Sequence, residues 1–244
     1  MRVHDLTDDV ATTGSGDPDP STDGADTGTA TTERLISAAE HLFAIHGIDG
    51  VSLREINRAS GARNAIAVQY HFQDRAGVVR AILDKHMPDI ESRRHAMLDQ
   101  YEADGIVDRD AAIRTLSAAL VRPLAAKLAD DNGGPAFLQI YADLLNRPNP
   151  LMTPSAFDSG SDSFQRWRDL MKPLVEVDAV RLHRRFTALL HAAVELARRA
   201  RSGPHPDDRL FTSWLIDVVA AILAAPVSPE TRRLAQARDA ARAR

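Results

Sequence analysis

The stretch that decides the fold runs from Thr32 to Leu83: TERLISAAEHLFAIHGIDGVSLREINRASGARNAIAVQYHFQDRAGVVRAIL. Leu35, Ala39, Leu42 and His46 recur at steps of four, three and four, with Ile36 and Phe43 beside them. That spacing gives one face of a helix, on which His46 is a packing residue. Thr31 or Thr32 can cap it, and Gly47 ends it. Ser52 with Glu55 three residues on forms a capping box, which predicts a short helix over 52–60 stopped by Gly61. A third short helix is expected over 63–70. Asp74 caps a fourth over 74–87, carrying Val78, Val79, Ile82, Leu83 and His86 inward.

Two short helices joined at Gly61 predict a helix-turn-helix. Its second helix has to stand clear of the body to enter a major groove about 12 Å wide. Leu53, Ile56 and Ala59 pin it against Ile66 and Val68, and Gly61 and Ala62 permit the corner. Arg63, Asn64, Gln69, Tyr70 and His71 then offer polar reach. Arginine reads guanine, Asn or Gln reads adenine, and Tyr and His typically reach phosphates. Ser52 is first a helix cap, to which a phosphate contact can be added.

Outward from this stretch, residues 1–30 are rich in Gly, Thr, Asp, Ser and Pro and hold seven aspartates against Arg2 alone. They bury too little to offset ordering entropy, so a disordered acidic tail is expected. That tail carries −6 of the chain's net −4, leaving +2 for the remainder. Downstream, every segment reads as helix: 88–102 opened by Pro88, 108–129 kinked at Pro123, 135–146, 161–175, 179–202 and 206–225. An Arg-rich tail closes the chain over 226–244.

In the last two long helices, Leu182, Phe186, Leu189, Leu190, Ala193 and Ala197 form one stripe. Leu210, Phe211, Trp214, Leu215, Val218, Val219, Ile222 and Leu223 form a stripe of double width. A helix this apolar needs neighbours on more than one side, which predicts pairing with a second copy as a four-helix bundle. The alternative is a central helix of a monomer core. Phe137, Tyr141 and Trp167 line a ligand pocket or form plain core, and Arg122 is a candidate for recognising a polar ligand group.

The composition excludes several classes. With no cysteine there are no disulfides, thiolate zinc sites or cysteine nucleophiles, which suits a reducing cytoplasm. No apolar run approaches the roughly 18–20 residues of a membrane span. There is no Gly-Lys pair, no G-x-G-x-x-G, no G-x-S-x-G and no His-Glu-x-x-His, and no glutamate has a histidine three residues later. No enzyme, cofactor or metal is therefore expected. His191 and Glu195, four apart, lack a third ligand nearby in sequence. A helix-turn-helix adaptor that binds only protein is the remaining alternative to a DNA reader.

The string as a whole resembles the TetR family of bacterial transcriptional regulators. The resemblance is carried by Thr32-Glu33-Arg34-Leu35-Ile36, Ala38-Ala39, Leu42-Phe43, Gly47, Ser52-Leu53-Arg54-Glu55-Ile56, Ala59-Ser60-Gly61, Tyr70-His71-Phe72 and Asp74-Arg75. It covers about 50 residues. Between Gly61 and Phe72 the chain is one residue longer than the commonest pattern, as in a subgroup with Arg-Asn near the turn and Gln-Tyr-His-Phe after it. Arg75 stands where the family's lysine is usual.

The resemblance implies an all-α protein. A DNA-binding domain over 31–75 would contact operator through Thr32, Ser52, Arg54, Arg63, Asn64, Ile66, Gln69, Tyr70, His71 and Arg75. A helical domain over 76–225 would hold a small-molecule effector near His86, Arg122, Phe137, Tyr141 and Trp167. A homodimer would form through Leu182, Phe186, Leu189, Leu190, Ala193, Phe211, Trp214, Leu215, Val218 and Ile222. The expected function is a cytoplasmic repressor released from double-stranded operator DNA by its effector. Residues 31–75 are electrically neutral, so phosphate binding would come from placed arginines and helix N-termini.

Overall fold

Helix α1 (Asp23–His46) opens the described part of this computed structural model, which comprises residues 23–62, 64, 66–148, 151, 162–176 and 183–242. The helix starts well before Thr31. The Thr32 hydroxyl, expected at a cap, instead donates back to the Gly28 carbonyl at 3.0 Å. Each residue added to a nucleated helix gains a backbone bond, which favours the longer element. The expectations for residues 1–22 lie outside the described residues. Leu35, Ala39 and Phe43 are buried as the spacing requires. His46 is exposed rather than packed, because the helix turns away at Gly47 (φ 74°) in the next residue.

Helix α2 (Leu53–Ala59) has the capping box read from the sequence, with Ser52 and Glu55 each satisfying the other's backbone. Helix α3 (Ala67–Phe72) begins and ends later than expected. Gly61 (φ 67°) stops α2, and the intervening residues form a loop held by side chains described below. Helix α4 (Arg75–Asp104) is continuous through Pro88, where a break was expected. Pro88 is exposed, while Ile82, Leu83 and His86 before it and Ile90, Arg94 and Leu98 after it are buried on one stripe. Burial on both sides outweighs the single backbone bond that proline removes.

The body follows with α5 (Arg109–Ala125), capped by Asp108 and passing into a 3-10 turn over Ala126–Ala129 just after Pro123. Then come α6 (Gly134–Asn146), α7 (Asp162–Met171), a 3-10 turn over Lys172–Leu174, α8 (Arg184–Arg201), α9 (Arg209–Ala224) and α10 (Pro229–Arg242). The architecture is all-α: a helix-turn-helix head followed by a helical body, with no strand among the described residues. In the body α6 packs on α8, and α5 packs on α4 and α9. Helix α1 bridges the two parts, touching α2 on one side and α6 on the other. Phe137 and Trp167 are fully buried in the body, each contributing about 2–3 kcal/mol. Among the described residues no single helix is long and apolar enough to cross a membrane.

Candidate nucleic-acid interface

Asn57 holds the helix-turn-helix together. It occupies an apolar-face position of α2, next to Ile56, and is 7% exposed. Its Nδ2 donates to the Asn64 carbonyl at 2.8 Å, and its Oδ1 accepts from the Val68 N–H at 3.4 Å. One side chain thus clamps the loop and the first turn of α3. Asn64 completes the entry, its Oδ1 accepting the Ile66 N–H at 3.1 Å. The sequence carried one signal for this: a polar residue at a position where the helical spacing asks for an apolar one.

The brace leaves a polar and apolar face of α3 in solvent. Ile66 is 60% exposed and Tyr70 79%, and Gln69 is also exposed. His71 turns toward α1, where its Nδ1 lies 3.3 Å from the Thr32 hydroxyl. Tyr70 meets the His71 ring edge-on at 5.2 Å. The structure therefore brings Thr32, Ile66, Gln69, Tyr70 and His71 to one end of the head. Ser52 and Arg54 are exposed at the start of α2. Hydrogen bonds from the Ser52 backbone and hydroxyl hold the Glu55 carboxyl below its usual range. Arg63 lies outside the described residues.

Arg75 is placed differently from the phosphate contact expected of it. Its Nη2 donates to the Val51 carbonyl at 2.9 Å, Nη1 lies 3.6 Å from Asp49, and buried Nε has no partner. It ties the start of α4 to the loop between α1 and α2. A hydrogen bond from Arg147 holds the Asp49 carboxyl below its usual range, and Arg75 adds to this. The α3–α4 junction is equally tight. Gln73 takes φ 67°, and Asp74 N–H bonds to the Phe72 carbonyl at 2.8 Å. The Asp74 carboxylate caps Gly77 at 2.8 Å, and a Cβ on Gly77 would collide with the Phe72 carbonyl.

Of the expected pocket residues, His86, Phe137 and Tyr141 come together: His86 and Phe137 rings lie 4.6 Å apart, and Phe137 stacks on Tyr141 at 5.6 Å. Trp167 stacks on Phe164 at 5.5 Å and donates to the Leu116 carbonyl at 2.8 Å. Arg122 is exposed, because it falls on the outer side of α5 opposite the buried Leu120, Val121 and Leu124. It therefore does not join that group. An open groove of about 1020 Å³ runs elsewhere, between Ala30, Arg34 and Ile36 of α1 and Ala81, Asp84 and Lys85 of α4. The spacing missed a buried polar cluster where Arg94 donates to Glu91 at 2.9 Å and to Ser163 at 3.0 Å.

The two last long helices divide their apolar residues. Leu189, Ala193 and Leu215, expected at the dimer interface, are buried inside the protomer at 6%, 1% and 0% exposure. They are core because α8 packs on α6 and α9 on α5. Phe186 and Trp214, each 48% exposed, and Leu210, 83% exposed, remain on the open side. Leu190, Phe211, Val218 and Ile222 are half-buried. Leu182 lies outside the described residues. Among the described residues no group of three or more His, Asp or Glu side chains is arranged to hold a metal.

No family model matches the chain, and no curated protein matches it in sequence. A solved structure from Rhodococcus sp., assigned to the TetR family of transcriptional regulators, matches with 16% identity and a TM-score of 0.42, covering 80% of this chain and 100% of that one. That assignment belongs to the Rhodococcus protein.

Proposed function

We propose that the chain is a sequence-specific DNA-binding transcriptional regulator, a homodimeric repressor whose hold on double-stranded operator is weakened by a small-molecule effector. The observation that carries this is the α3 face. Ile66, Gln69 and Tyr70 are exposed on a short helix clamped by the buried Asn57, with His71 and Thr32 beside it. An exposed isoleucine beside an exposed tyrosine on a helix clamped from behind fits a surface that a partner covers. In a major groove, Gln69 has an adenine edge to read, and Ile66 has a thymine methyl to cover. Tyr70 then supplies a phosphate contact.

The neutral charge of residues 31–75 fits a reader that relies on placed contacts rather than a basic field. The open side of α8 and α9, with Phe186, Leu210 and Trp214, supports pairing with a second copy. His86, Phe137 and Tyr141 supply an aromatic wall against which an effector would act.

The test is a selection of duplexes from a random-sequence pool, followed by gel shift at several salt concentrations. A recovered two-fold-symmetric site is expected. Gln69→Ala should relax the preference at one position per half-site, costing about 1–3 kcal/mol there. Recovery of no enriched duplex would sink the reading and leave a protein-binding head as the account of the exposed α3 face.

A further inference from the structure

Glu40 is a carboxylate on the α1 face that touches the body, and it is 2% exposed. Its Oε1 lies 2.8 Å from His86 Nε2, and its Oε2 accepts from Lys85 Nζ at 2.8 Å. Both partners stand on α4. On its other side the carboxylate sits against Gly133, the residue that caps α6, so closely that a Cβ on Gly133 would collide with it. Gly133 has φ 87°, so the position is reserved for glycine twice over. A negative charge at the start of the 13-residue α6 also meets the positive end of that helix. Glu40 is thus the point where α1, α4 and α6 share one charge.

The surrounding charges are accounted for. His86 Nδ1 faces Asp130 at 3.8 Å, and Lys127 bridges Asp130 and Asp89 at 3.0 Å each. Burial raises the Asp89 and Asp130 carboxyls, but the hydrogen bonds and charge of Lys127, joined by Arg93 at Asp89 and by the Asn132 N–H at Asp130, together hold both below their usual range. The His86 ring lies on Phe137, which is the first apolar residue of α6 to reach the aromatic cluster.

A carboxylate withdrawn from water is tolerated only with its partners complete. Once a partner is withdrawn, the charge is left uncompensated unless it reaches water. We infer that Glu40 is a lock that fixes the reading head at one angle to the body, opened by any displacement of the α6 N-terminus or of His86. This rests on the proposed function only for its consequence, that opening the lock weakens operator binding. A surface tie runs parallel to it, Arg147 to Asp49 at 2.6 Å, but Asp49 is 66% exposed and water replaces that pair at little cost.

The experiment uses the full chain, which has no cysteine of its own. Spin labels at Ile45→Cys in the head and Val107→Cys in the body occupy exposed sites, and dilution with unlabelled protein isolates the distance within one chain. The parent and Asp49→Asn should each give one narrow distance. Glu40→Gln and Gly133→Ala should each add a second, separate distance while helical content is retained. One narrow distance in both variants would overturn the lock. Loss of fold in both would overturn it too, since a lock has to open without unfolding the chain. Where only Glu40→Gln fails to fold, Gly133→Ala decides by the same criterion. On the duplex recovered by selection, Glu40→Gln should bind at least tenfold more weakly, and unchanged affinity beside a new distance would overturn the coupling. A parent protein that binds no duplex would sink the proposed function and leave the distance result standing.

Discussion

The guanidinium of Arg75 ends on protein, on the Val51 carbonyl at 2.9 Å and near Asp49, with its side chain 36% exposed. Those contacts make it a brace between the start of α4 and the loop ahead of α2. Arg75→Ala should therefore lower stability by about 1 kcal/mol, the value of one half-buried hydrogen bond. It should weaken binding to every duplex alike, while the slope of log K against log salt stays unchanged. Were Arg75 a phosphate contact, its loss from both protomers would flatten that slope by about 1.8. Gel shifts at four or five salt concentrations separate the two outcomes. The sequence pointed to a charge at this position, but which atoms the charge satisfies depends on Val51 and Asp49, which lie more than 20 residues away. Asn57 and Glu40 were legible only as oddities, polar residues on apolar faces, because their partners belong to other elements.

At the scale of elements, what local chemistry decides was readable and what packing decides was not. Helix α2 follows its capping box, since Ser52 and Glu55 satisfy each other within four residues. The start of α3 does not, because Asn57 reaches across from α2 to set it. Pro88 carried a strong local signal to break a helix, yet α4 runs through it under burial from both sides. The joint between α3 and α4 gives the sharpest test. Gly77→Ala places a Cβ against the Phe72 carbonyl, so the positive-φ turn at Gln73 has to open. Circular dichroism should show helix retained, while binding to the selected duplex falls at least tenfold. Gly28→Ala is the control: it lies inside α1 with nothing within 4 Å of its Cβ, so it should stabilise by about 0.5–1 kcal/mol. Equal effects from the two glycines would mean that the joint carries no strain.

Across the whole molecule, the sequence announced a double-width apolar stripe on α9 without saying which half faces inward. The structure divides it. Leu215, Ile216, Val219 and Leu223 are buried within the protomer, while Leu210 and Trp214 stay exposed and Phe211, Val218 and Ile222 are half-buried. The proposed effector site is harder to read, because a pocket between helices is walled by side chains scattered over several of them and no local motif encodes it. The divided stripe makes two neighbouring residues behave in opposite ways. Trp214→Asp puts a charge on the open side, where it is hydrated in a monomer and buried in a dimer. It should leave the fold and the thermal midpoint of the monomer intact and shift the protein to monomers in light scattering. Leu215→Asp puts the same charge at 0% exposure in the protomer core, on the helix that packs against α5, where water does not reach it in either state. It should unfold or aggregate the chain, losing the 2–5 kcal/mol typical of a fully buried leucine and more for the uncompensated charge. A Trp214→Asp protein that remains a dimer of unchanged strength would remove α9 from the interface, and a soluble, folded Leu215→Asp monomer would reverse the assignment of the two halves.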